Sequence, residues 1–214
     1  MDIEEFYKTP HLLEENKYNE IKLGKLKTFF PQGQRVLDYG CGDGTVTKMI
    51  SELNNAIGVD VSKKSVEICR KKGLDARLIQ VEKKLAFASG SFDCIFCLET
   101  IEHVFDTESM LNEFRRLLKK NGSLVVSTPN VAQLSNRARF LLDLPLRYVE
   151  TKIEAGHIRF FTKNSLEKLL EENGFRVEKT VSNFVYIPAG GPVSFLGDVF
   201  PSLGTELIVK AAKK

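Results

Sequence analysis

The chain contains no tryptophan, three histidines, four cysteines and seven prolines in 214 residues. Four cysteines spread from Cys41 to Cys97 are too few for a disulfide framework, so stability has to come from an apolar core. A hydrophobic content of 43% at this length is enough to build one. No apolar run is long enough to span a bilayer, and no leader-type segment opens the chain. A cytoplasmic protein with reduced thiols is therefore expected. A dominant charge is missing too: 31 basic against 28 acidic residues leave only +3, with both signs interspersed. That argues against a specific nucleic-acid partner. The shortage of histidine limits imidazole bases to His11, His103 and His157.

There is no repeat or low-complexity tract; apolar runs alternate with helix-period segments from end to end. This alternation is the pattern of a doubly wound α/β sheet. It predicts one domain over residues 1–214, with an N-terminal helical cover (1–30) and an insertion (131–161) beyond the fifth strand. Strands are expected at Arg35–Tyr39, up to Asp60, at Ala76–Val81, Phe92–Leu98, Ser123–Ser127, Arg176–Tyr186 and Glu206–Lys210. Helices are expected from Lys17 to Phe29, from Gly44 to Leu53, from a Ser62 cap to Gly73, from an Asp106 cap to Gly122 and from a Thr162 cap to Gly174. Cys94 and Cys97 have C-x-x-C spacing, but a strand sends residues three apart to opposite faces. Buried, inert thiols are expected there.

The most informative stretch is Val36 to Thr45, VLDYGCGDGT. An apolar strand runs into Gly40, Gly42 and Gly44, and a helix pattern follows at once. Glycines at such a turn let the backbone bend sharply and let a ligand approach the main chain, and the next helix offers N–H groups to the same crevice. A dinucleotide fold wants G-x-G-x-x-G/A, whereas position 45 is Thr and the glycines repeat every second residue. Asp38 and Asp43 would repel a pyrophosphate but suit a ligand carrying an ammonium or sulfonium group, as S-adenosylmethionine does. A nucleotide site also needs an acidic residue at the end of the next strand to accept the ribose hydroxyls. Asp60, in GVDVS, stands there.

These two motifs resemble those of the class I S-adenosylmethionine-dependent methyltransferases. The likeness continues through LAFASGSFDCIFCLETIEHV (Leu85 to Val104), LLKKNGSLVVSTPN (Leu117 to Asn130) and GHIRFFTKNSLEKLLEENGF (Gly156 to Phe175). It implies a Rossmann-like doubly wound seven-stranded sheet, six strands parallel and one antiparallel. It also implies S-adenosyl-L-methionine as cofactor and S-adenosyl-L-homocysteine as product. The carboxyl ends of the first four strands mark the site: Asp38, Tyr39, Gly40, Cys41, Gly42 and Gly44; Asp60 and Val61; Gln80, Val81 and Glu82 on the adenine edge; Leu98 and Glu99. Many relatives carry Asp on the adenine edge, where this chain reads Gln80-Val81-Glu82, so the partner of the adenine amino group is left open.

Methyl transfer from a sulfonium needs positioning and exclusion of water but no protein nucleophile. A hydroxyl acceptor gains from a general base, and Glu102, His103 and His157 are the candidates. Three readings of Glu99-Thr100-Ile101-Glu102-His103 stand open: Glu102 and His103 orient the loop, His103 is the base, or Glu99, Glu102 and His103 hold a divalent ion. The last follows the resemblance of this E-x-x-E-H string to ubiquinone-pathway O-methyltransferases. His157 is the second base candidate or a histidine satisfied by its backbone neighbours, and His11 lies in a segment that often folds over such sites.

The insertion mixes Arg137, Arg139 and Arg147 with Phe140, Leu141, Leu142 and Leu144. It reads as a lid over the acceptor, as a basic amphipathic surface (131–153) for a membrane or a protein, or as a plain packed helix. Ile187 to Ser202 is a further candidate wall of the acceptor pocket. The leading function is methylation of a small or lipid-like acceptor at oxygen. The alternative is a cofactor-binding accessory of a partner enzyme, since TPNVAQLSNRARFLL also resembles the W-type methionine-biosynthesis proteins.

Overall fold

A computed structural model describes residues 17–80, 83–147, 149, 156–187 and 190–214. Helix α1 (Lys17–Lys27) leads into β1 (Arg35–Tyr39), followed by α2 (Thr45–Ser51), β2 (Asn55–Asp60), α3 (Lys63–Lys71), β3 (Ala76–Leu78) and β4 (Phe92–Leu98). A 3-10 turn (Ile101–His103) precedes α4 (Thr107–Leu117), β5 (Leu118–Pro129), α5 (Leu134–Leu141), α6 (Lys163–Glu172) and β6 (Phe175–Ser182). The chain then forms a hairpin of β7 (Val185–Ile187) and β8 (Gly191–Val193), a short α7 (Ser194–Val199), a 3-10 turn (Pro201–Leu203) and β9 (Glu206–Lys213).

Seven strands make one sheet in the order β3-β2-β1-β4-β5-β9-β6. β9 alone runs antiparallel, to β5 on one side and β6 on the other, so the expected seven-stranded, mostly parallel sheet is present. Alternate residues of the central strands feed two cores. Leu37, Ile95, Cys97 and Val126 join Leu111 and Phe114 of α4 and Leu166 and Leu170 of α6. Val36, Cys94, Phe96 and Val125 join Leu26 of α1 and Ile50 of α2. Near-continuous apolar runs in β1 and β4 follow from burial on both faces. Cys94 and Cys97 belong to different cores, and all four thiols are free and buried. Burial pushes the Cys94 thiol up to about 11, which keeps it protonated and inert.

Several boundaries differ from expectation, each for a local reason. Gly122 does not end α4: the helix stops at Leu117, and Leu118 turns extended to pair with Phe92, so Gly122 lies within β5. The expected strand Arg176–Tyr186 breaks at Asn183. There the buried Asn183 Oδ1 accepts from Phe184 N, Thr205 Oγ1 and Glu206 N and draws the chain out of the sheet. β3 ends at Leu78 rather than Val81, and Val81 and Glu82 lie outside the described residues, as does His11. The caps behave as the side chains predict: Ser62, Asp106 and Thr162 each accept the backbone N–H three residues on.

Candidate functional site

Strand order reverses between β1, which continues outward to β2, and β4, which continues to β5. A crevice opens at the carboxyl ends of the strands at such a point. A cavity of about 390 Å³ lies there, a size suited to a nucleoside-sized ligand.

One end of it is built by the glycine turn. Gly40, Gly42 and Gly44 all have positive φ (79°, 53° and 81°), which side-chain-bearing residues rarely adopt. Gly40 and Gly44 are also required by packing. A Cβ on Gly40 would lie 2.2 Å from Thr100 Oγ1, and one on Gly44 would lie 2.8 Å from Cys69 Sγ. The turn is clamped to β2, since Gly40 N and Cys41 N both donate to Val59 O (2.8 and 3.0 Å) and Gly42 N donates to Asp60 Oδ2 at 2.9 Å. Asp60 Oδ1 accepts from Ser62 N at 2.7 Å, so each oxygen of Asp60 makes one backbone bond and keeps a second lone pair. Asp43 does not wait for a ligand cation. It accepts the Thr45 N–H and hydroxyl and pairs with Lys72 at 3.2 Å, so the first N–H of α2 is already taken. Asp38 is 2% exposed and accepts from Thr47 Oγ1 at 2.6 Å. Burial pushes its carboxyl up to about 6.

Asp38, Tyr39, Gly40, Cys41 and Gly42 line the cavity, as do Asp60, Val61, Leu98 and Glu99. Gly44 and Gln80 are not part of its wall; Ile79 is. Gly44 sits one step behind the turn as the N-cap of α2, and β3 ends before Gln80.

At the other end the 3-10 turn carries Glu102 and His103, and the 156–161 segment brings His157 beside them. Ile158 N and Arg159 N both donate to Glu102 O, and Arg159 Nε donates to Val104 O. The His103 and His157 rings are 4.9 Å apart, and His103 Nδ1 lies 3.0 Å from Gly156 O. A carbonyl only accepts, so Nδ1 carries a proton, and in the neutral ring the lone pair then falls on Nε2. Glu102 is 1% exposed; its Oε2 accepts from Thr128 Oγ1, and its Oε1 has no hydrogen-bond partner among the described residues. Burial first, and then the Glu99 charge, raise its carboxyl well above the usual range.

The sequence groups Glu99, Glu102 and His103 as a candidate ion site. Instead, ligand atoms of Glu102, His103 and His157 lie within 4.8 Å of one another. Glu99 is drawn away: Ser127 Oγ donates to its Oε1 at 2.7 Å, and Lys22 Nζ lies 3.5 Å from the same atom. Lys22 also pairs with Glu206 at 3.1 Å. Both Lys22 and Glu206 line the cavity and were missed by sequence reasoning; a single lysine in a charged helix and a glutamate opening a strand carry no motif. The opposing carboxylates outweigh desolvation and raise the Lys22 ammonium above its ordinary value. Among the described residues, neither α5 nor Ile187 to Ser202 lines the cavity. Phe140, Leu141, Leu142 and Leu144 are exposed. Among the described residues, no helix is long and apolar enough to cross a membrane.

A family model described as "Methyltransferase domain" matches residues 13–180. Over 169 residues the chain is 30% identical to human "Ubiquinone biosynthesis O-methyltransferase, mitochondrial"; the match covers 74% of this chain and 46% of that protein. It is 30% identical over 166 residues to the "Ubiquinone biosynthesis O-methyltransferase" of Chromobacterium violaceum, covering 73% of this chain and 70% of the relative. The chain thus spans about half the length of the human relative. A solved Thermotoga maritima structure, described as a SAM-dependent methyltransferase and possible histamine N-methyltransferase, superposes with a TM-score of 0.70 at 25% identity. That superposition covers 92% of this chain and 89% of the other. This chain belongs to the S-adenosylmethionine-dependent methyltransferases, with S-adenosyl-L-methionine as its cofactor.

Proposed function

We propose that this methyltransferase-family protein moves a methyl group to the hydroxyl oxygen of a small or lipid-like acceptor. The observation that carries the reading is a single cavity with a ribose-type carboxylate, Asp60, among its walls and the Glu102, His103, His157 trio at its far side. The remaining lone pairs of Asp60 suit the ribose hydroxyls. Asp38 answers the ammonium group, and the backbone of Tyr39 to Gly42, held in shape by Gly44, carries the amino-acid moiety. Val61 and Ile79 flank the adenine, with Gln80, Val81 and Glu82 on its edge, and Leu98 and Glu99 border the reacting end.

The bound cofactor supplies a methyl group on a sulfonium, electrophilic enough to need no protein nucleophile. The protein's share is to orient, to exclude water and to take a proton. His103 Nε2 accepts the acceptor's hydroxyl proton. Glu102, whose carboxyl burial raises well above its ordinary range, orients the hydroxyl, and His157 braces the His103 ring. Exposed Phe105 and Ile158, neighbours in sequence of the cavity residues Val104 and His157, give the apolar part of a lipid-like acceptor a place to lie. Four buried free thiols accord with a cytoplasmic setting.

The test is methyl transfer from labelled S-adenosyl-L-methionine to matched phenol and aniline series, followed by mass spectrometry. Acceptor-dependent S-adenosyl-L-homocysteine with an O-methyl product is expected; transfer to the amines alone would overturn the oxygen assignment.

A further inference from the structure

The four thiols fall into two unlike pairs. Cys94 and Cys97 lie in different cores, whereas Cys41 and Cys69, 28 residues apart in sequence, meet with their Sγ atoms 3.9 Å apart. Cys41 belongs to the glycine turn and lines the cofactor cavity. Cys69 stands on α3 and donates its S–H to Gly42 O at 3.3 Å, so it is already fastened to the same turn. The two sulfurs fill space that glycines leave open. A Cβ on Gly44 would lie 2.8 Å from Cys69 Sγ, and one on Gly58 would lie 2.9 Å from Cys41 Sγ. Gly58 has no positive φ to account for it, so the close approach of Cys41 is what asks for glycine there.

The contact also alters the chemistry of the thiols. A hydrogen bond with Cys41 lowers the Cys69 thiol below its ordinary value, and the same bond, followed by burial, raises that of Cys41. One sulfur of the pair is thereby the more easily ionised, the condition that thiol oxidation needs. Peroxide reaches the pair through the cavity, at the wall that Cys41 forms.

We propose that Cys41 and Cys69 are a modification site, joined as a disulfide by hydrogen peroxide, and that the cross-link weakens cofactor binding. One sulfur, as thiolate, attacks a peroxide oxygen, and the O–O bond breaks to leave a sulfenic acid. The other sulfur then attacks it, the S–S bond forming as the S–O bond breaks. Two thiols and one hydrogen peroxide become one disulfide and two waters. A disulfide holds its sulfurs about 2.05 Å apart, so they draw together by roughly 2 Å. Asp60 feels that movement from both sides, since it binds Gly42 N of the turn with one oxygen and Ser62 N at the head of α3 with the other. The inference rests on the proposed placement of the ribose on Asp60 and of the amino-acid moiety on Tyr39 to Gly42.

Peptide mapping without reductant, and calorimetry with S-adenosyl-L-methionine, on the full chain before and after peroxide test this. A Cys41–Cys69 cross-linked peptide is expected. Cofactor affinity should fall at least about tenfold, the scale of one lost hydrogen bond to a carboxylate, and return with dithiothreitol. Saturating cofactor, which covers Cys41, should lower the cross-linked yield. Cys69→Ser keeps a donor for Gly42 O but cannot form the bond, so its affinity should stay the same before and after peroxide. Absence of the cross-link at saturating peroxide would overturn the inference. So would an equal loss of affinity in Cys69→Ser, which would put the damage elsewhere. If Cys69→Ser does not fold, the wild-type cycle of peroxide and dithiothreitol decides alone. A reduced protein that binds no cofactor would take down the placement of the cofactor as well; a cross-link that leaves affinity unchanged takes down only the modification's effect on binding.

Discussion

The two ends of the cavity are made in different ways. The Asp60 end is local: one turn and two neighbouring parallel strands supply it, and most of its geometry is main chain, locked by positive-φ glycines and by N–H groups that tie the turn to Val59 and Asp60. The His103 end is assembled from afar: Lys22, Glu102, His157 and Glu206 come from four separate parts of the chain, Lys22 and Glu102 buried, His157 and Glu206 half-buried. A backbone-built site tolerates no change in shape. A side-chain-built site tolerates change in shape but not in charge or protonation.

Substitutions at each end sharpen that contrast. The largest effect is expected for Gly40→Ala, whose Cβ would collide with Thr100 at a φ of 79°. It should cost about 3 kcal/mol of stability and abolish cofactor binding, as read by denaturant midpoint and calorimetry. A fully stable, binding-competent Gly40→Ala would show that the turn is not shape-limited. His103→Ala should lower turnover about a hundredfold with cofactor affinity unchanged; parallel loss of affinity would mean that His103 shapes the cofactor pocket instead. Asp60→Ala should weaken cofactor binding by about 1–3 kcal/mol, and an unaltered dissociation constant would remove the ribose role.

The last effect concerns pH and is small near neutrality. Asp38 titrates near 3.8 in ordinary surroundings and at about 6 when folded. The native state therefore binds its proton more tightly, and the stability this adds is fully present below pH 3.8 and lost as pH rises through about 6. Asp38→Asn should flatten that stretch of the stability curve in urea titrations; an unchanged slope would assign it to another group.

The same contrast explains what could be read in advance. Asp38, Gly40, Gly42 and Asp60 were legible because strand, turn and helix signals are contiguous and their spacing is dictated by backbone geometry. The sheet was legible because apolar runs alternate with amphipathic ones. The end of α4 was misread because Gly122 looks like a stop, while the pairing of Leu118 with Phe92, a tertiary event, ends the helix earlier. Lys22 and Glu206 were invisible because their meeting depends on where α1 and β9 pack, and no local pattern encodes that. His157 was singled out as one of only three histidines, but its partnership with His103 appears only in three dimensions.

The 156–161 segment is fastened to the 3-10 turn through the carbonyl of Glu102, which receives the amides of both Ile158 and Arg159. Because amides are common to every residue but proline, the outward side chains at 158 and 160 are free to vary over generations without disturbing the grouping of Glu102, His103 and His157. On the proposed function, a change of acceptor asks only for a change of that rim, with the fastening beneath it inherited intact.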